Sequence, residues 1–116
     1  CGVVNELIDE ILDLRNISML DCSGWNDFDI FVEAITRKNI KNTGIEKRFH
    51  PVKDILATNE TEIRQKIKSY YDSLQKSKSI RAYMRVDGIS SIGNFEQDLN
   101  SVRRFVEISR EFSYTD

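Results

Sequence analysis

The sequence predicts a mainly α-helical protein, a compact bundle of four principal amphipathic helices with a short extra helix. Apolar residues recur with the helical period in four separate stretches, two of which begin with a capping signature, and the chain contains a single proline. The predicted principal helices lie near residues 3–14, 26–39, 60–78 and 94–112, and the short helix lies at 51–57. The 116 residues are expected to form one domain, 1–116.

The first two predicted helices each have an apolar stripe opposite a polar face. The stripe of the helix at 3–14 consists of Val4, Leu7, Ile8 and Ile11, and the other face is acidic. In the helix at 26–39, Asn26 or Asp27 is placed to cap the first turn. Its stripe consists of Phe28, Phe31, Val32 and Ile35. Both helices are therefore expected to bury one face in a core.

The stretch from residue 59 to 86 combines a helix signal with a strand signal. Asn59 and Glu62 have the spacing of a capping box, and the helical stripe that follows consists of Ile63, Ile67, Tyr70, Tyr71 and Leu74. In residues 80–86 the period changes to two, which predicts a half-buried strand. Residues 17–21 form a second extended segment, so the pattern allows a small two-stranded β element between 17–21 and 80–86.

The last predicted helix, at 94–112, begins with Asn94 and Gln97 in capping-box spacing. Its apolar residues form a broad stripe: Phe95, Leu99, Val102, Phe105, Val106, Ile108 and Phe112. Pro51 is well placed in the first turn of the short helix at 51–57. Residues 45–50 are interpreted as a connection between elements.

The composition, with 40% hydrophobic and 31% charged residues, is that of a soluble folded domain. No apolar run approaches the ~18 to 20 residues of a membrane span. The chain begins at Cys1 rather than Met, which indicates a processed or excised form without its targeting segment. Asn16 and Asn59 begin glycosylation sequons. The localisation therefore stays open between cytoplasmic and secreted.

Charge is segregated along the chain although the net charge is only −2. Residues 1–36 have a balance of −7, residues 37–85 a balance of +8 and residues 86–116 a balance of −3. The basic middle third is consistent with a patch for nucleic acid or another acidic partner. The alternative, which the interleaving of these bases with apolar residues favours, is that the acidic ends pack beside the basic middle and neutralise it.

The sequence offers little for catalysis or metal binding. His50 is the only histidine, and no second His or nearby Cys has a ligand spacing. A surface or helix-capping role is therefore favoured for His50, and no enzymatic activity, metal or cofactor is expected. Cys1 and Cys22 are candidates for a disulfide, and two unrelated thiols are the alternative.

Amphipathic helices separated by extended segments at 17–21 and 80–86, together with the sequons, make the predicted architecture similar to that of short-chain four-helix cytokines. In that family two crossover strands pair between the helices. The resemblance implies a secreted ligand of a cell-surface receptor, and it covers the architecture alone, so no binding residue is carried over.

Three functions remain as hypotheses. The first is a small regulatory or inhibitory protein-binding module that presents charged helix faces to another protein with an acidic surface. The second is the cytokine-like ligand, and the third is a nucleic-acid-binding domain that uses the basic segment 37–85, with an aromatic ring for base stacking. The candidate partner-binding residues are Arg64, Lys66, Lys68, Tyr70, Arg81, Tyr83 and Arg85. The oligomeric state is left open.

Overall fold

The computed structural model describes residues 2–77 and 80–113, and it shows a mixed α/β protein. The elements in chain order are α1 (Ile8–Leu12), β1 (Met19–Cys22), α2 (Phe28–Arg37), β2 (Gly44–Phe49), α3 (Glu60–Gln75), β3 (Arg81–Val86) and α4 (Phe95–Ser113). A 3-10 turn at Asn5–Leu7 precedes α1, and a π-helical segment at Pro51–Leu56 precedes α3. The prediction of a mainly α-helical four-helix bundle is therefore wrong.

The three strands form a parallel sheet in the order β1-β2-β3, so β2 is the central strand. Met19 lies opposite Gly44, and the pairing continues to Cys22 opposite Lys47. Parallel neighbours need a crossover connection, which α2 provides between β1 and β2 and α3 provides between β2 and β3. Because β2 separates the segments 17–21 and 80–86, they do not pair. This removes the architectural basis of the resemblance to four-helix cytokines.

Strand β2 occupies the segment that the sequence pattern indicated to be a connection. Three consecutive charged residues, 46–48, hide the alternation that normally identifies a strand. In the sheet, the first and the last of these charges meet opposite charges on the neighbouring strands. Arg48 forms an ion pair with Asp21 on β1, and Glu46 forms one with Arg85 on β3 at 3.5 Å. Opposite charges on adjacent strands stabilise the pairing, so a charged run is compatible with a central strand.

The chain divides into two compact units. The first consists of Cys1–Arg48 and Asp72–Arg85, and in it α1 packs against α2. Its buried hydrophobic side chains are Ile8, Leu12, Leu20, Cys22, Phe28, Phe31, Val32, Ala34, Ile35 and Ile45. The second unit consists of Phe49–Tyr71 and Val86–Asp116. Its buried side chains are Phe49, Ile55, Leu56, Ile63, Ile67, Tyr70, Phe105 and Ile108. The expectation of a single domain stays a prediction.

Three predicted helix starts are confirmed by their caps. The Oδ1 atom of Asp27 accepts the N–H of Asp29 at 2.9 Å, and that of Asn59 accepts the N–H of Glu62 at 2.9 Å. Asn94 caps α4 in the same way, through the N–H of Gln97 at 3.1 Å. Each cap satisfies a backbone donor that has no partner within the helix. These helix starts were predictable because the cap and the N–H it binds lie within three residues of each other.

Helix α1 is much shorter than the predicted helix at 3–14. Asn26 Oδ1 accepts the N–H of Val4 at 2.8 Å, which ties the start of the chain to the loop before α2. The stripe residue Leu7 is 54% exposed and lies in the 3-10 turn before α1. Tertiary hydrogen bonds therefore replace part of the helix that the apolar pattern predicts.

Candidate interaction surface

The only histidine has a structural role, in agreement with the sequence-based preference for a capping residue. His50 precedes the Pro51–Leu56 segment, and its Nδ1 atom accepts the N–H groups of Val52 at 3.2 Å and Lys53 at 3.1 Å. In turn, the Oδ2 atom of Asp54 accepts a hydrogen bond from the backbone N–H of His50 at 2.7 Å. The Nδ1 lone pair is thus already used in capping, as a side-chain acceptor is at a helix start.

The side chains of the sheet alternate between two faces. On β1, Leu20 and Cys22 are buried, whereas Met19 and Asp21 are exposed. On β3, the even-numbered residues are half-buried and the odd-numbered residues are exposed. We call the exposed side of the sheet the open face. Its side chains are Met19, Asp21, Glu46, Arg48, Arg81, Tyr83 and Arg85.

Two ion pairs link the strands across the open face. Arg48 pairs with Asp21, and the side chains of the two residues are 29% and 45% exposed. Arg85 Nη1 lies 3.5 Å from Glu46 Oε1, and Arg85 remains 55% exposed. Arg48 is the more buried of the two arginines, and its Nε atom is inaccessible to solvent. The face carries three arginines and two carboxylates, so it is nearly balanced in charge with a small positive excess.

Two exposed uncharged side chains lie on the same face. Met19 is 47% exposed and Tyr83 is 53% exposed. Gly44, which lies opposite Met19 on the neighbouring strand, makes room for the methionine. A Cβ atom at Gly44 would lie 3.2 Å from Met19 Sδ and 3.2 Å from the Arg81 carbonyl oxygen. The absence of a side chain at this position therefore lets the three strands approach closely.

The structure divides the sequence-predicted binding residues into two groups. Arg81, Tyr83 and Arg85 lie together on the open face of β3. On α3, by contrast, Tyr70 is buried, and its ring packs edge-on against Phe49 with the centroids 6.2 Å apart. Desolvation in this position raises the pKa of the Tyr70 hydroxyl. Tyr70 is therefore a core residue and is not accessible for stacking on a ligand.

The predicted basic residues of α3 are engaged in contacts within the second unit. Arg64 forms ion pairs with Glu111 at 2.5 Å and with Glu60 at 3.3 Å, and its guanidinium lowers the pKa of Glu111. Lys66 Nζ binds Asp54 Oδ1 at 2.8 Å. Lys68 is exposed. Arg64 and Lys66 thus hold neighbouring elements together, which makes them weaker candidates for partner binding than the arginines of β3.

Ion pairs also explain the segregation of charge along the sequence. Within residues 2–77 and 80–113, bases of the middle third pair with acids of the first third: Arg37 with Asp9, Lys38 with Asp13, Arg48 with Asp21 and Lys76 with Asp29. The contact between Arg64 and Glu111 links the middle third to the last third. For these bases, the ion pairs support the interpretation that the acidic ends neutralise the basic middle. Because exposed ion pairs contribute little to stability, their main consequence is a balanced surface.

Cys22 is a free thiol on the buried side of β1. Its Sγ lies 3.8 Å from the Asn26 carbonyl oxygen. Burial in this position raises the pKa of the thiol from about 9 to about 11, because the thiolate loses its hydration. The other member of the candidate disulfide, Cys1, lies outside the described residues.

We expect the Cys22 thiol of a Cys1→Ser variant to resist a thiol-specific reagent at about pH 8 and to react fully once the chain is unfolded in guanidinium chloride. Because the folded state holds the thiol proton more tightly than the unfolded state, the free energy of unfolding should fall as the pH rises from about 9 to about 11. Replacement of Cys22 by alanine should remove this part of the pH dependence. Rapid labelling of the folded variant would contradict the buried position of Cys22.

In residues 2–77 and 80–113, no group of three His, Cys, Asp or Glu side chains is arranged to hold a metal ion. Within the same residues, no helix is long and apolar enough to cross a membrane. The fold and the surface together define an α/β protein with a small parallel sheet, one face of which is exposed in the described structure. No protein-family model matches the chain, and no curated protein or solved structure matches it significantly.

Proposed function

We propose that this protein is a non-catalytic protein-binding module whose partner covers the open face of the sheet. One observation carries the proposal. Parallel sheets are almost always covered on both faces, usually by helices. Here β3 exposes Arg81, Tyr83 and Arg85 on one face, and β1 adds Met19 to the same side. A binding partner that lies on this face would complete the layered arrangement.

The side chains of the open face indicate the chemistry of the partner. Tyrosine and arginine are the residue types that most often dominate protein interfaces, because each combines a large apolar surface with hydrogen-bonding groups. Tyr83 is suited to an apolar pocket of the partner, and Arg81 to a carboxylate. The ion pairs on either side are suited to the polar rim of an interface, where they contribute specificity more than affinity. The partner is therefore expected to be a protein with an acidic surface around an apolar pocket.

The capture of a partner from an extract of the source cells tests this proposal. The Arg81→Ala/Tyr83→Ala variant should capture less of the partner protein than the unmodified chain does, by a factor of roughly ten or more. Such a loss is expected when interface hot spots are removed. The matched control is Arg15→Ala/Trp25→Ala, because Arg15 is exposed and Trp25 is 68% exposed. The control should bind normally. Equal binding by both variants would overturn the assignment of the surface.

A single-stranded nucleic acid is a second candidate for the open face. The observation that favours it is the position of Tyr83 between Arg81 and Arg85 on alternate residues of one strand, since exposed aromatic rings flanked by cations bind stacked bases. In this case a fluorescent oligonucleotide should bind at low salt, lose affinity steeply as salt is added, and bind more weakly to Tyr83→Ala. An absence of binding at low salt would exclude this candidate and leave the protein partner.

A further inference from the structure

Helix α4 has two apolar faces, and the described residues bury only one of them. Phe105 and Ile108 belong to the core of the second unit and are 6% and 2% exposed. Phe95 and Val106 lie roughly a third of a turn around the helix from these residues. They are 68% and 40% exposed. Leu99 and Val102, which lie between them on the same face, are half-buried. This face therefore leaves apolar side chains in contact with water, which is unfavourable.

The second face has the spacing of a helix–helix seam. It consists of Phe95, Leu99, Val102 and Val106, and we call it the α4 stripe. Steps of four, three and four residues are those of the a and d positions at which two helices pack lengthwise against each other. Ile89 and Ile92, 39% and 53% exposed, extend the apolar surface beyond the start of α4. A pocket of about 100 Å³ lies where Ile89 meets the stripe.

The segment before α4 is held in place against the helix. Asp98 Oδ2 accepts the Ser91 hydroxyl at 2.6 Å and the Ile92 N–H at 2.9 Å. The hydrogen bond from Ser91, with those from the backbone, lowers the pKa of Asp98. Since these contacts fix Ile92 and its neighbours beside the stripe, the apolar surface is already formed before any partner binds.

The charged residues beside the α4 stripe would be complementary to those of a second copy of the chain. Glu96 and Arg103 are exposed and flank the stripe on the side away from Phe105. In an antiparallel pair of α4 helices, Leu99 of one copy would face Val102 of the other. Glu96 of each copy would then lie beside Arg103 of the other, so two ion pairs would form around one two-fold axis. In a parallel pair, these two residues of one copy would lie on the opposite side of the seam from those of the other, so neither ion pair would form.

We propose that the α4 stripe is a homodimer interface, in which α4 packs antiparallel against α4 of a second copy of this chain. A surface that is complementary to itself about a two-fold axis is what a symmetric dimer requires, because the same patch is used on both subunits. The seam has only four apolar positions. Interfaces of this small size associate weakly and reversibly, so the dimer is expected to form as the protein concentration rises.

Sedimentation equilibrium of the unmodified chain, from micromolar to roughly millimolar concentration, should show a reversible monomer–dimer equilibrium. The Phe95→Asp variant should stay monomeric over this range. Glu96→Arg and Arg103→Glu should each weaken self-association by roughly tenfold or more, because each places like charges together at two positions. Since these three residues are exposed, circular dichroism should show that the variants remain folded.

The charge-reversal variants also provide the decisive measurement. A mixture of Glu96→Arg with Arg103→Glu should form a heterodimer about as stable as the original homodimer, because every facing pair again has opposite charges. The double variant Glu96→Arg/Arg103→Glu should recover self-association for the same reason. A monomeric unmodified chain at the highest concentration would overturn the proposal. So would dimers of the single variants as stable as the original, or a mixture that fails to associate.

Discussion

Replacement of Phe105 by alanine should lower the free energy of unfolding by about 3–5 kcal/mol, the range measured when large aromatic residues are removed from cores. Phe105 is 6% exposed, and its ring lies edge-on to that of Phe49 with the centroids 5.3 Å apart. The alanine would leave a cavity and remove this aromatic contact. Urea denaturation followed by circular dichroism would measure the loss.

The matched control is Phe95→Ala on the same helix. Phe95 is 68% exposed, so the same substitution should change the free energy of unfolding by only about 0.5 kcal/mol or less. The comparison should be made at low protein concentration, because self-association through the α4 stripe would add to the apparent stability of the unmodified chain. Equal losses for the two variants would mean that α4 is oriented differently from the structure described above.

Replacement of Ile45 by alanine should lower the free energy of unfolding by about 2–5 kcal/mol. Ile45 is completely buried in the central strand β2, so the substitution would remove packing from the core of the first unit. If residues 45–50 were the connection that the sequence pattern indicated, the change would be about 0.5 kcal/mol. The midpoint and slope of a urea transition would separate the two outcomes.

Ile92→Ala is the control for Ile45→Ala. Ile92 is 53% exposed and precedes α4, so the same substitution removes little buried surface. A small effect at Ile92 together with a large effect at Ile45 would support β2 as the centre of the sheet. A small effect at both positions would argue that the segment 44–49 is not a buried strand.

The two proposals concern different units of the chain and different surfaces. The open face belongs to the first unit, whereas the α4 stripe belongs to the second. They therefore predict separable losses. Tyr83→Ala should affect the binding of the partner protein and leave self-association unchanged, while Phe95→Asp should have the opposite pattern. If a single substitution abolished both activities, the two surfaces would not be acting independently.

The parts of the fold that follow from neighbouring residues were predictable. Asp27, Asn59 and Asn94 cap helices by binding N–H groups two or three residues further along the chain, so the helix starts follow from spacing alone. The alternation of β3 was predictable for the same reason, since exposed and half-buried residues follow one another along a single strand. The candidates Arg81, Tyr83 and Arg85 were found through this alternation.

The pairing of distant segments was not predictable in this way. The charged residues at 46–48 do not have the pattern of a strand. Their place in β2 is explained by Asp21 and Arg85, which lie on the adjacent strands and form ion pairs with two of them. Which of the two candidate tyrosines, Tyr70 or Tyr83, is accessible to a partner also depends on contacts between distant segments. Both tyrosines lie in the basic third of the sequence, yet one is 5% exposed and the other 53% exposed. What decides their exposure is the set of elements that pack over them.

The sequence by itself determined where α2, α3 and α4 begin and which residues of β3 alternate, because these properties depend on contacts within a few residues. Only the tertiary structure decided that the protein is α/β, that β2 is central, and that one face of the sheet and the α4 stripe are exposed. Those properties depend on contacts between residues far apart in the chain. The alternation of β3 predicted the arginines and the tyrosine of the open face, but the rest of that face and the exposure of the α4 stripe depend on which elements pack over them.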